Sequence, residues 1–496
     1  MTGRSMFRVL RWVGLAAVAP VLWACQARSL EAPVLRPEAT FGKTFQQSIN
    51  RNVDMLFLID DSSSMRLSQA NLERNFPTFM TTLRGPANGP ALPNLHVAVI
   101  SSDMGAGDGS VASCDSSGGK NGIFQYTPRG SCATNPLNGA TYIIDSGGQK
   151  NYTGTLEEAF TCIAALGESG CGFEHQFASV LRALGADGRA APAENQGFLR
   201  PEAYLAIVLI TNEDDCSASP GVPLFDTGSN TNIMSQLGPP ANFRCNEFGH
   251  MCDGMHPNRN APNNDVAQMV TYNNCTSNDT EGYLLSVVDT ANRIKALKPD
   301  PSQVIMAAIT GPATPYTVNW KAPSTADTSC GAASCPWPVI AHSCTAPDTS
   351  FADPGVRVGE LVSQFGANGL VLPICSDNFA PSLQRIGELI NASLQPPCIT
   401  GTVANKPGTQ DPDCTVVSHT SNGIGGIVDA TVPACSANGG AAPCWQLATG
   451  ACSGGGNGQI VQVSTDMSVP TTTSQNATVN CALCIAGISE PDRGCP

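Results

Sequence analysis

The chain predicts an α/β fold built on a doubly wound, mostly parallel sheet, and three features predict it. Two short apolar runs, Val-Asp-Met-Leu-Phe-Leu-Ile at 53–59 and Tyr-Leu-Ala-Ile-Val-Leu-Ile at 204–210, have the profile of strands buried on both faces. Each empties abruptly into oxygen-rich residues, Asp60-Asp61-Ser62-Ser63-Ser64 and Thr211-Asn212-Glu213-Asp214-Asp215. Segments of helical spacing alternate with further strand-like runs, the order that makes βαβ units.

The amino terminus comes first. Arg4, Arg8 and Arg11 precede an apolar run at 13–24 and then Cys25, the layout of a secretory signal too short to stay as a transmembrane helix. Leu22-Trp23-Ala24-Cys25 resembles a bacterial lipobox. That resemblance implies a signal peptide over 1–24, lipidation of Cys25 and, with Gln26 next, an outer-membrane lipoprotein; an ordinary cleaved signal and a secreted chain is the alternative. Residues 25–45 read as a flexible tether, with prolines and no periodicity over 26–42.

After the opening strand, residues 67–83 place Leu72, Phe76, Phe79, Met80 and Leu83 on one side of a helix that Pro77 would kink or shorten. Strand 95–101 is followed by a polar loop over 104–139 and a short edge strand at 140–144. Helices are expected at 155–166 and 173–184, before the second buried strand. Residues 216–280 are rich in Asn, Pro, Gly and Cys and read as a cross-linked insertion. A helix at 282–297, a strand at 303–309, a loop at 311–353, a helix at 356–365, a strand at 370–374 and a helix at 379–394 complete a domain over 46–396. Beyond it, 397–496 lose helical periodicity and carry eight cysteines, which predicts a small β-rich, disulfide-linked module. Its Thr-rich stretch at 464–474 is either a strand or a polar loop.

Of 21 cysteines, setting Cys25 aside leaves an even 20, enough for ten disulfides in an oxidising compartment. Cys481 and Cys484 make a single Cys-x-x-Cys with no second pair at zinc-finger spacing, which disfavours a structural zinc. Spacing alone would let Cys114 pair with Cys132 and Cys162 with Cys171. The formal charge of −14 becomes −17 once a leader with three arginines and no acids is removed, and such a chain repels nucleic acid and anionic lipid surfaces. Neither Gly-x-Gly-x-x-Gly nor a phosphate loop follows the opening strand, which argues against nucleotide binding.

Asp60, Ser62 and Ser64 alternate at a strand end, where open parallel sheets bind ligands, and hard divalent cations prefer such oxygens. The simpler alternative is a serine-rich turn that caps the next helix. Asp60-x-Ser62-x-Ser64 after a hydrophobic strand resembles the metal-ion-dependent adhesion site of von Willebrand factor type A domains. The resemblance spans roughly 52–394 and implies a bound Mg2+ or Mn2+, with Ca2+ as a variant, and a protein partner whose acidic side chain completes the coordination. It also implies a threonine from a second loop, for which Thr155 is the candidate; the rival loop Gly170-Cys171-Gly172-Phe173-Glu174 offers Glu174 instead. Where the family has Thr-Asp-Gly this chain has Thr211-Asn212-Glu213, so the third loop offers either the Asn212 carbonyl oxygen, at the loss of one charge that should weaken cation binding, or Asp214 after a small loop shift. A metal-free structural or envelope-assembly protein that binds through its Cys-rich regions is the second reading. Catalysis is not expected: no Gly-x-Ser-x-Gly elbow surrounds Ser62 or Ser64, and His175 lies among apolar neighbours on a helix.

Overall fold

The computed structural model describes residues 39–45 and 52–495, apart from 85–92, 108–110, 112–113, 115–117, 130–131, 133–134, 147–148, 202, 324–325, 396–397, 422–426, 453–456 and 465–474. The signal peptide expected at 1–24, Cys25, the tether up to residue 38 and nearly all of the Thr-rich stretch lie outside the described residues.

In chain order, β1 (Ala39–Phe45) precedes the opening strand β2 (Asn52–Ile59), then α1 (Arg66–Arg84) and β3 (Asn94–Ser101). The short strands β4 (Ile143–Ser146) and β5 (Gln149–Lys150) lead to α2 (Leu156–Ala164), α3 (Gln176–Ala183) and β6 (Tyr204–Ile210). An insertion carries α4 (Phe243–Gly249), β7 (His250–Cys252), β8 (Met269–Tyr272) and β9 (Cys275–Ser277), before α5 (Val287–Lys295) and β10 (Val304–Thr310). The expected loop at 311–353 in fact contains β11 (Tyr316–Lys321), β12 (Trp337–Ile340), β13 (Cys344–Thr345) and β14 (Phe351–Ala352). After them come α6 (Val356–Ser363), β15 (Gly369–Pro373) and α7 (Ala380–Ser393). The carboxyl-terminal part holds β16 (Cys414–Ser421), β17 (Ile427–Val432), β18 (Cys444–Ala451), β19 (Asn457–Ser464) and β20 (Gln475–Leu483).

The central sheet has the order β15-β10-β6-β2-β3-β4-β5. Its first five strands are parallel, and β4 and β5 form an antiparallel edge. The chain first builds outward from β2 through β3, then crosses back to lay β6 on the other side. The order therefore reverses between β2 and β6, and that switch point is where such sheets leave a crevice. Ile59 pairs with both Ile210 and Ser101, so β2, β6 and β3 end level with one another.

Alternation along β2 sends Met55, Phe57 and Ile59 to one face and Leu56 and Leu58 to the other. The first face packs on α1, α2 and α7, the second on α3, α5 and α6. Phe57 is fully buried, with ring centroids 4.8 Å from Phe160 and 5.9 Å from both Phe76 and Phe79. Pro77 does not end α1, which runs unbroken over 19 residues because its buried face holds it against the sheet.

Ten disulfides join all the cysteines from Cys114 to Cys495. They mark an oxidising, extracytoplasmic setting. Two pairings differ from those that spacing allows: Cys114 joins Cys171 and Cys132 joins Cys162, because the loop after β3 lies across the segment containing α2 rather than folding on itself.

The carboxyl-terminal strands form a sheet of order β1-β20-β16-β17 and a β18-β19 pair, around a small core of Val416, Trp445, Val461 and Val479. Four disulfides cross-link this part. Residues 39–45, read from sequence as the end of a tether, are instead a strand: Ala39 pairs with Leu483 and Phe45 with Ala477. Their Thr and Phe content suits a strand, and pairing there covers an edge of β20 that would otherwise be open.

Truncating the aromatic centre tests this packing. Phe57→Ala is expected to lower unfolding stability by about 3–5 kcal/mol, measured by urea titration with the disulfides intact.

Candidate metal centre

The β2–β6 ladder continues one residue past the strands: the Asp60 backbone N–H donates to Ile210 O at 2.9 Å. This fixes the start of the first loop against the start of the second. Asp60 is fully buried; its Oδ1 accepts from the Ser62 backbone N–H at 2.8 Å and its Oδ2 from the Thr211 hydroxyl at 2.9 Å. Gln69 of α1 holds the Asp60 carbonyl and the carbonyl of Gly167 with the same side-chain amide, both at 2.9 Å.

Ser62 precedes a short 3-10 turn over Ser63–Met65, but its side chain makes no capping bond. Its hydroxyl instead lies 3.1 Å from that of Ser64, and Ser64 donates to Asn212 Oδ1 at 3.1 Å. The Asn212 amide N–H donates to Phe351 O at 3.2 Å, which turns its carbonyl oxygen toward the serines. Asp60, Ser62, Ser64 and Asn212 are thus brought together from both sides of the switch point. Oxygens around a magnesium-sized ion, at 2.0–2.1 Å from it, lie about 2.9 Å apart along an octahedral edge. The two 3.1 Å separations suit that spacing, and the oxygens are of the hard type such an ion takes. Ser64 is half-buried and Ser63 exposed, so the cluster opens to solvent on that side.

Two expected ligands are elsewhere. Thr155 caps α2, accepting from the Glu158 backbone N–H at 3.1 Å. The neighbouring Glu157 pairs with Arg84 at 2.6 Å, at the far end of α1 from the serines. A 19-residue helix is about 28 Å long, so Thr155 belongs to the opposite end of the sheet. The second loop is the rival one: Gly170 N–H donates to Asp61 O at 2.8 Å, and His175 N–H donates to Ser102 O at 3.0 Å. Asp214 is also committed. It accepts from the backbone N–H groups of Arg357 and Val358 at 2.8 and 3.0 Å, at the start of α6, and lies 2.8 Å from His250 Nε2. Burial works to raise its pKa, but His250 and those N–H groups outweigh it and hold the carboxyl below its ordinary value.

Sequence reasoning passed over Lys120 and, although it named Glu174, the pairing of Glu174 with Glu213. Lys120, from the loop after β3, pairs with Asp61, whose other oxygen accepts from Ser101 at 2.6 Å. Burial, then the charge of Arg129, brings the Lys120 ammonium down to about 8. Nothing in the polar 104–139 stretch marks Lys120 out. Glu174 and Glu213 face each other near Asp60 and share a carboxyl–carboxyl hydrogen bond: burial raises both, the charges of Glu213 and Asp60 add to it at Glu174, and those of Asp353 and Asp60 add to it at Glu213, which reaches about 8 although its hydrogen bonds to Glu174 and Asn242 work the other way. Burial also raises Asp60, against the hydrogen bonds from Ser62 and Thr211. The signal for the Glu pair was present, since Glu174 and Glu213 each sit in a loop that follows or faces a buried strand.

No family model matches the chain, and no curated protein matches it. Among solved structures, it is similar to the vWF domain of the type V pili tip protein Mfa5 from Porphyromonas gingivalis, at 13% identity and a TM-score of 0.30, over 71% of this chain and 99% of that one. It is also similar to human COPII-coat protein Sec24c, at 8% identity and a TM-score of 0.28, over 90% of this chain and 46% of that one. The pilus adhesin RrgA from Streptococcus pneumoniae follows, at 12% identity and a TM-score of 0.26, over 90% and 57%. The fold stated above rests on strand order and register, not on these scores.

The raised carboxyls make stability depend on pH. Glu213 titrates near 4.5 when unfolded and near 8 when folded, so above pH 4.5 the unfolded chain binds fewer protons and folding is progressively penalised up to about pH 8. His175, lowered to about 4 by burial, opposes this only below pH 6.5. Melting temperature in EDTA should therefore fall from pH 6.5 to 8, and Glu213→Gln should flatten that slope. An equal slope in the variant would assign the dependence to other groups.

Proposed function

We propose that this is an extracytoplasmic binding protein whose type A-like domain takes a divalent cation, Mg2+ or Mn2+, at Asp60, Ser62, Ser64 and Asn212. Through that ion it engages a carboxylate of a protein partner, as an adhesion or assembly contact, from a chain tethered to the outer membrane by lipid on Cys25. The observation that carries the reading is the meeting of those four side chains at the switch point, on the side open to solvent at Ser64. Asp60 supplies the one charge, while Ser62, Ser64 and Asn212 supply neutral oxygens. An ion held this way keeps net positive charge, which is what would draw an acidic side chain to a chain of formal charge −14.

Binding fits the site better than catalysis. The Ser62 and Ser64 hydroxyls are engaged with each other and with Asn212. His175, the base a hydrolase would need, is 4% exposed with its ring Nδ1 unpartnered among the described residues. One observation favours the metal-free reading instead: Lys120 supplies a built-in counter-charge to Asp61, beside the cluster.

Calorimetric titration of the EDTA-stripped protein with Mg2+ and Mn2+ separates the two. The expected result is saturable binding that weakens at least tenfold in Asp60→Ala. Identical titrations for the two proteins would leave the metal-free reading standing.

A further inference from the structure

Beside the Asp60 cluster lies a polar cavity of ≈ 20 Å3 lined by Glu174, Glu213, Asp353, Asn242 and His250, among others, with no lysine or arginine in its wall. That volume is about one water or one bare ion. Its histidine is already spent, with Nε2 on Asp214 and Nδ1 on the Tyr316 hydroxyl, each at 2.8 Å. Glu174 is 2% exposed, and yet its Oε1 has no hydrogen-bond partner among the described residues. A buried carboxyl oxygen left unpaired is costly, and a second carboxyl, Glu213, stands against it. Glu213 Oε2 is held from outside by the Asn242 amide at 3.0 Å.

The backbone around the pair is unusually well anchored. Cys216 N–H donates to Glu174 O at 2.7 Å, and the disulfides Cys114–Cys171 and Cys216–Cys245 clamp the loops on either side. Two facing carboxyls on a rigid frame, with one unsatisfied oxygen and room for a single atom, have the charge and size that suit a cation.

We propose that Glu174 and Glu213 hold a second divalent cation, of the calcium class, in this cavity, at a position separate from Asp60, Ser62 and Ser64. Calcium is favoured over magnesium because it accepts carboxylates in either mode and a shell made largely of protein oxygens, whereas magnesium keeps several waters for which the cavity has no room. Among the described residues no three His, Cys, Asp or Glu side chains surround one point, so the two carboxylates are completed by amide or carbonyl oxygens of the protein. The ion also relieves the repulsion between the pair. This inference does not depend on a metal at Asp60.

The test is calcium chloride titration of the intact, disulfide-bonded protein after EDTA and dialysis, read by calorimetry and by the melting temperature. Wild type should bind calcium and melt higher with it. Asp60→Ala, which removes the outer position, should keep one calcium per chain. Glu174→Gln and Glu213→Gln should each lose at least tenfold in calcium affinity with an unchanged circular dichroism spectrum. If either fails to fold, Glu174→Asp, which keeps the charge and shortens the reach, should show the same loss. Wild type without a calcium response, or Glu174 and Glu213 variants that titrate as wild type does, overturns the proposal. Loss of calcium in Asp60→Ala alone would likewise assign the ion to the outer cluster.

Discussion

The parallel pairing of β2 with β6 is the constraint on which the rest depends. Strands distant in sequence lie side by side, point the same way and end at one level, so the residues that follow them share a rim. The ladder's last bond, from Asp60 N–H to Ile210 O, and the Thr211 hydroxyl on the Asp60 carboxylate lock the two loops together. Shifting this register by one residue would turn Phe57 from its aromatic cluster and at the same time carry Asp60 away from Asn212. Core packing and site geometry are therefore held by the same hydrogen bonds.

Charge is distributed unevenly within that frame. At the other end of the sheet, buried Asp54 is met by Arg200 at 2.7 Å and by Lys298 at 3.5 Å. Asp215 is met by Arg357 at 3.1 Å, and Asp61 by Lys120. Asp60, Glu174 and Glu213 form the contrast: Asp60 and Glu174 are buried and Glu213 half-buried, Asp60 meets the Thr211 hydroxyl and the Ser62 N–H, Glu213 meets the Asn242 amide, and Glu174 lies against Glu213. Carboxylates that only stabilise a fold are paired, as the first group is. A group left in mutual repulsion at a ligand-facing rim is the arrangement expected where a cation or a proton is part of the working state.

The long excursions serve this rim. The loop after β3 delivers Lys120 and, through Cys114–Cys171, is tied to the loop that carries Glu174. The insertion after β6 supplies Asn242 and His250, and the β13–β14 hairpin supplies the carbonyl that orients Asn212. Disulfides let such segments hold shape without cores of their own. The carboxyl-terminal sheet uses the same device and adds β1, so the main domain is threaded between two strands of one sheet.

The sequence by itself determined the α/β class, the buried strands β2 and β6, the amphipathic helices, the oxidising compartment, and Asp60, Ser62 and Ser64 as the start of the cluster, with Asn212 and Asp214 as alternatives for its third loop. These are local signals: an apolar run, a helical period, an even cysteine count, oxygens directly after a strand. Tertiary structure alone decided that Thr155 caps a helix at the opposite end, that Asp214 is consumed by α6 and His250, that the cysteines cross-pair, and that 39–45 are a strand. Each of these turns on which segment a residue meets across the fold. A threonine before a helix looks the same from sequence whether that helix starts at the rim or at the base, because helix direction is set by the strand that precedes it in space.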